Sequence, residues 1–193
     1  DDIYGVSFAY GVWGYYYNSA MAEQYGWEPP KNWEEFCELA PKIKEQGIYP
    51  IIHQGKYPDY LGYGLMQPGI AAEGGKDLLV KMGNLDADTY RSDLVLNAYK
   101  KYETLRENDW TPASSLSLTH TEAQMEWLQG KAFIIPCGNW LEGEMANDIP
   151  DGFEMEFMPS FWFEGDKTPI YVGSGARISI AAESKNPEAA KAF

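Results

Sequence analysis

Histidine, cysteine and long apolar runs are scarce in this chain, and each scarcity excludes a kind of site or segment. Two cysteines and two histidines occur among the 193 residues. Because Cys37 and Cys137 form no CxxC or Cys/His cluster, a zinc site is not expected, and the absence of a calcium-loop pattern predicts no calcium site. Both thiols are expected to be buried and free, with a disulfide or a local role as the alternatives. No stretch approaches the roughly 20 apolar residues of a membrane-spanning helix.

Motifs for catalysis and for nucleotide cofactors are also missing. A Ser/His/Asp triad would depend on His53 or His120, and no GxSxG turn precedes either histidine. The glycines around Ser174 lack the GxxxxGK[ST] pattern of a phosphate-binding loop, and no GxGxxG opens a helix after a strand. The 29 acidic residues always offer some pair of carboxylates, so their number does not identify a glycosidase. We therefore expect neither an enzyme nor a cofactor.

The charge balance points to a neutral ligand. With 15 basic and 29 acidic residues, the formal net charge is -14, whereas nucleic acids and anionic lipids require a positive protein surface. Aromatic residues reach 15%, with 14 Tyr and 7 Trp, and both side chains join a flat apolar face to a polar tip. At 45% apolar and 23% charged, the chain is typical of one globular domain or one large lobe. This composition favours a site for a sugar or a peptide.

Hydrophobic periodicity predicts strands alternating with helices. Two aromatic-rich strands are predicted at 3–8 and 12–17, separated by a turn at Tyr10-Gly11, and Pro41 is expected to kink or split the helix in which it lies. The further predicted strands are 49–52, 132–135, 153–157, 170–172 and 177–181. The predicted helices are 18–25, 32–47, a helical region ending near Glu73 before a Gly74-Gly75 stop, 92–107, 119–129 and 186–193. The segment 53–63 is predicted to be a loop.

The stretch 118–145 carries the strongest local signals, and it reads LTHTEAQMEWLQGKAFIIPCGNWLEGEM. Thr119 is a typical helix cap, and Glu122 stands in the position that completes a capping box. The following apolar run at 132–135 has the β-branched content of a buried strand. Residues 136–140 should therefore lie at the carboxyl end of a strand, which is where open α/β sheets bind ligands.

Segments at both ends of the chain resemble a known family. The first reads YGVSFAYGVWGYYYNSAMAEQYGWEPPKNWEEF and the last VGSGARISIAAESKNPEAAKAF. They are similar to the hinge strands and helix starts of the extracellular solute-binding proteins of family 1, which deliver carbohydrates to ABC transporters. The segment HQGKYPDY and the stretch 118–145 resemble the branch that binds N-acetylglucosamine and diacetylchitobiose. Ser7, where the family usually has proline, and Pro41 depart from the family pattern.

The resemblance implies one lobe of a two-lobe fold. Residues 1–193 look like the carboxyl-terminal lobe of a class II periplasmic-binding-protein-like α/β fold, a mixed sheet flanked by helices, with the amino-terminal lobe absent. Hinge strands are expected at about 3–9 and 170–181, and a returning helix is expected to start at 186–193. Gly173 and Gly175 are expected to serve as hinge residues with a permissive backbone, an ordinary turn being the alternative.

The resemblance also implies a location and partners. The chain begins without a start methionine or a signal peptide, which predicts a processed or excised piece. The precursor is expected to be exported and lipid-anchored, at the extracellular face of the membrane or in the periplasm. Its expected partners are a carbohydrate and the permease subunits of an ABC transporter, without nucleic acid, and a monomer is expected.

Candidate ligand residues follow from the chemistry of a pyranose, which has an apolar face and a rim of hydroxyls. Aromatic platforms suit the face, and planar polar side chains suit the rim. Trp140, preceded by Asn139, matches the stacking tryptophan of the family, with core packing as the alternative. The other candidates are Gln54, Tyr57, Asp59 and Tyr60 in HQGKYPDY, Tyr10 and Trp13 near the first hinge strand, and His120 at a helix start, whereas His53 is expected to be structural.

We therefore expect a carbohydrate-binding receptor component of a bacterial ABC importer. It would hold a mono- or oligosaccharide, such as N-acetylglucosamine or diacetylchitobiose, by stacking and hydrogen bonds. A glycoside hydrolase fragment is the alternative from another class, and product formation would separate the two. An interaction module that binds a peptide or the transporter is a third possibility.

Overall fold

The computed structural model describes residues 5–192, which form one five-stranded mixed sheet flanked by helices. The strands are β1 (Val6–Asn18), β2 (Tyr49–Ile51), β3 (Ala132–Gly138), β4 (Met155–Met158) and β5 (Val172–Ile178). The order across the sheet is β2-β3-β1-β4, and β5 pairs with the first half of β1. β1 runs antiparallel to β3, β4 and β5, while β2 and β3 are parallel. The mixed sheet agrees with the sequence prediction.

Eight helices occur in residues 5–192, and side-chain caps fix several of their starts. The side chains of Asn18, Asn32 and Ser92 each accept a hydrogen bond from a backbone N–H in the first turn of the helix that follows. Thr119 and Glu122 form the predicted capping box. The helices are α1 (Ser19–Tyr25), α2 (Trp33–Glu45), α3 (Gln67–Gly83), α4 (Ala87–Tyr90), α5 (Asp93–Glu107), α6 (His120–Leu128), α7 (Leu141–Glu144) and α8 (Pro187–Ala192), with a π-helical turn at Tyr60–Met66 and a 3₁₀ turn at Ala113–Leu116.

Strand β3 is the centre of the core, since all seven of its residues are buried. Two apolar clusters cover it, one built around Phe36, Phe133 and Trp162 and the other around Tyr16 and Trp127. The Trp127 indole N–H is fully buried and donates to the Phe133 carbonyl at 3.1 Å, which satisfies the polar atom of that ring. The buried strand ends at Gly138, so the residues that follow it are held by a rigid element.

The predicted breaks in the first and last strands are wrong. β1 passes through Tyr10 and Gly11 without a turn, and β5 passes through Gly173 and Gly175. These two glycine-containing segments pair with each other, with Tyr10 opposite Gly175 and Val12 opposite Gly173. Each segment is extended because the other is its hydrogen-bonding partner. Residues 6–13 of β1 together with β5 form a two-stranded ribbon, called the ribbon below. Residue 3, where the first strand and hinge were predicted to begin, and residue 193 lie outside the described residues.

Three helical predictions also need correction. The predicted split at Pro41 is wrong, because helix α2 continues through this residue to Glu45; Pro41 is exposed, while Ala40 and Ile43 are fully buried. The first part of α3 ends at the predicted Gly74-Gly75 pair, where Gly75 has a non-helical backbone with φ 74°, but a second helical part, which was not predicted, continues to Gly83. The predicted loop 53–63 is wrong in its last part, because a π-helical turn begins at Tyr60.

Candidate functional site

Aromatic side chains converge at the carboxyl end of β3. Trp13 is their centre: the Tyr60 ring meets it edge-on with centroids 5.0 Å apart, the Trp140 ring meets it edge-on at 4.6 Å, and the Tyr63 ring stacks on it at 6.3 Å. Trp13 itself is buried, at 7% exposure, whereas Tyr63 is 44% exposed. The set, called the aromatic cluster below, comprises Trp13, Tyr57, Tyr60, Tyr63, His120 and Trp140.

Small residues and one buried hydroxyl hold these rings in place. The Trp140 ring folds back over Gly138, where a Cβ atom would overlap it. Gly64 lets the π-helical turn approach Trp13, since a Cβ at Gly64 would lie 3.3 Å from the ring. The fully buried Tyr15 hydroxyl donates to the Leu65 carbonyl at 2.5 Å and fastens this turn to β1. The cluster is therefore built on β1, β3 and the π-helical turn together.

A polar network borders the cluster on the side of α6 and α7. The His120 ring lies nearly parallel to the Tyr60 ring, at 11° with centroids 6.0 Å apart. Its Nε2 is 3.2 Å from a Glu144 oxygen, and the fully buried Gln124 donates to the other Glu144 oxygen at 3.0 Å. Because Gln124 has little freedom to move, it fixes the carboxylate against which His120 is placed.

The electrostatics of this end of the sheet keep its hydroxyls and thiol protonated. Burial raises the pKa of Tyr60 to about 12, with a further contribution from Cys137, while the indole donor of Trp140 acts in the opposite direction. Burial is also the main cause that raises the pKa of Cys137 to about 12. Burial and the neighbouring Glu142, which accepts a hydrogen bond from Tyr16 at 3.2 Å, raise the pKa of Tyr16. The site therefore offers neutral donors beside two exposed carboxylates, those of Glu142 and Glu144.

Five of the residues predicted to bind a ligand lie in the aromatic cluster, namely Trp13, Tyr57, Tyr60, His120 and Trp140. Asp59 is exposed at the start of the π-helical turn and makes no side-chain capping bond there. Asn139 is exposed, and its side-chain oxygen accepts the Val12 N–H at 3.0 Å. Tyr10 lies on the ribbon, 70% exposed, with its ring over Gly173. Contact of these residues with a ligand stays a prediction.

Gln54, another residue predicted to bind a ligand, makes a buried hydrogen bond to the backbone. It is fully buried, and its amide group donates to the Pro136 carbonyl at 2.9 Å. The parallel β2–β3 pairing ends with Ile51 opposite Ile134. The hydrogen bond from Gln54 to the Pro136 carbonyl adds one more contact between the two chain segments beyond that point. The Gln54 side-chain oxygen is also buried and has no hydrogen-bond partner among residues 5–192, and contact of Gln54 with a ligand stays a prediction.

The predicted hinge glycines also have another local role. Gly173 and Gly175 lie in the middle of a paired strand, and neither has a positive φ. A Cβ on Gly173 would overlap the Tyr10 hydroxyl, so the glycine makes room for that ring. The predicted break between two strands is therefore wrong for this segment, while the hinge role of Gly173 and Gly175 stays a prediction.

Sequence reasoning missed Tyr63, Gln124 and Glu144. Tyr60 and Tyr63 are three residues apart, a spacing that places two side chains on one face only when the segment is helical. Reading the segment as a loop concealed that signal. Gln124 falls on the helix face shared with Trp127 and Leu128, and the sequence alone does not distinguish a buried glutamine there from a solvated one.

The described residues show two further findings. No helix within 5–192 is long and apolar enough to cross a membrane, and no three His, Cys, Asp or Glu side chains in this part of the chain are arranged to hold a metal ion.

A groove of about 690 Å³ lies away from the aromatic cluster, and its lining includes none of the predicted ligand residues. Its lining includes Pro29, Pro30, Lys31, Glu35, Pro159 and Lys167.

Comparison with known proteins identifies the family. The model of the bacterial extracellular solute-binding proteins matches residues 1–193. The chain belongs to this family. The predicted family is thus confirmed, and because its members bind solutes and are not enzymes, so is the prediction that the chain is not an enzyme.

Curated relatives are similar over nearly the whole chain. The diacetylchitobiose-binding protein NgcE of Streptomyces coelicolor is 26% identical over 197 residues, which cover 99% of this chain and 42% of the relative. A probable sugar-binding periplasmic protein of Rhizobium meliloti is 26% identical over 196 residues, covering 91% of this chain and 44% of the relative. The chain therefore spans less than half the length of these two relatives.

Solved structures confirm the fold class. A protein from a study of xylan utilization by Caldanaerobius polysaccharolyticus superposes with a TM-score of 0.81 at 22% identity, covering 98% of this chain and 49% of the other. A sugar transporter of Bacillus licheniformis in complex with stachyose gives 0.76 at 18% identity, covering 99% and 50%. The predicted α/β lobe of the class II periplasmic-binding-protein type is the fold that these likenesses support.

Proposed function

We propose that this chain is the carboxyl-terminal, sugar-binding lobe of a two-lobe solute receptor for a bacterial ABC importer. The observation that carries the proposal is the aromatic cluster at the end of β3, in which a buried Trp13 supports partly exposed rings. The relatives' names support it, since one is a diacetylchitobiose-binding protein and another a probable sugar-binding periplasmic protein.

Stacking supplies the apolar half of the proposed recognition. Tyr57 and Tyr63 are 41% and 44% exposed, and Trp140 is partly exposed, so each offers surface to the C–H face of a pyranose. Their partners behind the surface are other rings rather than flexible chains. A platform that is already in place loses little conformational freedom when the ligand binds.

Hydroxyl recognition supplies the polar half. The carboxylates of Asp59, Glu142 and Glu144 are exposed acceptors for the hydroxyl groups of a sugar. The net charge of -14 and the acids beside the cluster oppose an anionic sugar. We therefore propose a neutral mono- or oligosaccharide, and name N-acetylglucosamine and diacetylchitobiose first because of the relative from Streptomyces coelicolor.

The proposal extends to the whole protein. The receptor would be exported, lie in the periplasm or be lipid-anchored at the extracellular face of the membrane, act as a monomer, and deliver its sugar to permease subunits. The ribbon would form part of the connection to the second lobe, and the ligand would be enclosed between the lobes when they close. The periplasmic names of the relatives support this location.

Calorimetric titration of the full-length protein with N-acetylglucosamine, diacetylchitobiose and maltose tests the proposal. One sugar is expected to bind tightly and to be recovered intact. Trp140→Ala and Tyr63→Ala are each expected to weaken its binding about tenfold, since roughly 60 Å² of apolar contact corresponds to about 1.4 kcal/mol.

Tyr99→Ala is the matched control, because Tyr99 is 51% exposed on α5 and no ring contact is described for it. It should leave the sugar affinity unchanged. Cleaved sugar would support a hydrolase instead, and the absence of binding to any carbohydrate tried would contradict the proposal. Equal losses in the control and the two cluster variants would point to general destabilisation.

A further inference from the structure

Strand β3 leaves the sheet at Gly138, yet its hydrogen bonding to β1 continues for one more residue. The Asn139 N–H donates to the Val12 carbonyl at 3.0 Å, and the Val12 N–H donates to the Asn139 side-chain oxygen, also at 3.0 Å. The side chain thus replaces the carbonyl that a further strand residue would have supplied. Both backbone groups of Val12 are satisfied by this one asparagine.

The residues on either side of this pair belong to the aromatic cluster. Val12 precedes Trp13, and Asn139 precedes Trp140. The Trp13 and Trp140 rings meet at 4.6 Å with an interplanar angle of 89°, and the Trp140 ring packs over Gly138. The β1–β3 ladder ends with Trp13 opposite Gly138, and the two bonds of Asn139 extend it by one position toward Trp140.

We propose that Asn139 is a positioning residue, which holds Trp140 against Trp13 through its side-chain bond to Val12. This role differs from the ligand contact predicted for it, because the oxygen that a ligand would meet is already used. It also joins the end of β3 to the ribbon, since Val12 is opposite Gly173 on β5. The inference rests on the proposed function only where sugar affinity is the readout.

A double-mutant cycle in the full-length protein separates positioning from a general structural effect. The variants are Asn139→Ala, Trp140→Phe and their combination, and the signal is the tryptophan circular dichroism, to which a close pair of indoles contributes. Asn139→Ala is expected to remove the same part of the circular dichroism signal that Trp140→Phe removes. When Trp140→Phe is already present, adding Asn139→Ala is expected to change the signal little. Equal changes in both backgrounds would overturn the proposal.

Sugar affinity and a conservative variant give the second readout. Asn139→Ala is expected to weaken diacetylchitobiose binding roughly fivefold, the factor that corresponds to one hydrogen bond of ordinary net strength. Asn139→Asp keeps the acceptor oxygen and should stay within about twofold of the wild type. Asn108→Ala is the control, because it removes a side-chain to backbone bond of 2.9 Å at the end of α5, and it should change neither signal.

The remaining outcomes are distinct. A weakened Asn139→Asp variant would show that the amide nitrogen contacts the ligand and would overturn the proposal. If the wild type binds no sugar, the proposed function fails while the circular dichroism cycle still decides the positioning role. If Asn139→Ala does not fold, exchange of the Val12 amide hydrogen decides instead: protection in the wild type and in Asn139→Asp is expected, and rapid exchange in both would contradict the Asn139 bond.

Discussion

The buried His53 should make the stability of this chain fall as the pH is lowered from 8 to 5. His53 is fully buried, its Nε2 is 3.0 Å from the Tyr102 hydroxyl, and its Nδ1 has no partner among residues 5–192. Burial, followed by the charge of Arg106, lowers its pKa from 6.5 to about 4. The imidazole is therefore neutral in the folded chain at pH 5, whereas it is protonated in the unfolded chain.

The size of the effect follows from this difference. Between about pH 6.5 and pH 4, His53 is protonated in the unfolded state but neutral in the folded state. The free energy of unfolding therefore decreases as the pH falls through this interval. The loss reaches about 2 kcal/mol at pH 5 and about 3 kcal/mol once both states are protonated. At pH 8 the imidazole is neutral in both states and contributes no pH dependence.

Urea denaturation at a series of pH values between 5 and 8 measures the effect. His53→Asn cannot be protonated in this range and should lose most of the slope, whatever its absolute stability. His120→Asn is the comparison variant, because it removes the other histidine and leaves the buried His53 in place. Equal slopes in the wild type and His53→Asn, or a folded-state pKa near 6.5 by NMR, would refute the reasoning.

Three further substitutions test the packing by the same denaturation assay. Gly69→Ala places a Cβ against the Trp162 carbonyl and should cost about 1–3 kcal/mol, while Gly83→Ala in the same helix meets nothing and should stabilise by up to about 1 kcal/mol; similar effects at the two sites would contradict the packing argument. Thr119→Ala removes the capping box and should cost about 1 kcal/mol, and an unchanged midpoint would mean that the cap adds nothing. Lys101→Met removes the cation of the nearly buried ion pair with Glu73 and should lower the free energy of unfolding by about 3–5 kcal/mol. A variant as stable as the wild type would show that the pair does not contribute to stability.

Local signals predicted most of the helices and the buried strand. Side-chain caps such as Asn32 and Thr119 are decided by residues three positions apart, and the structure has them where the sequence placed them. Strand β3 is likewise a short-range signal, since its apolar run is continuous. These elements need no information from distant parts of the chain.

The misplaced elements depend on partners far away in sequence. The turn signal at Tyr10-Gly11 is overruled because β5, more than 150 residues later, pairs with it. Gln54 looks like a polar loop residue until Pro136 is placed beside it, whose carbonyl it binds. The convergence of Trp13, Tyr63 and Trp140 likewise requires three separate segments to meet, so the candidate residues could be predicted individually but their arrangement could not.

The ribbon has a consequence for the chain handled by itself. Val6, Phe8 and Tyr10 are 68%, 65% and 70% exposed on a pair of strands, and within residues 5–192 no other strand borders β5. An unpaired strand edge with exposed apolar side chains is a template on which a strand of another copy can pair. The net charge of -14 on each copy opposes this association by mutual repulsion. Since salt screens that repulsion and leaves the strand edge as it is, self-association of the isolated chain should increase with ionic strength.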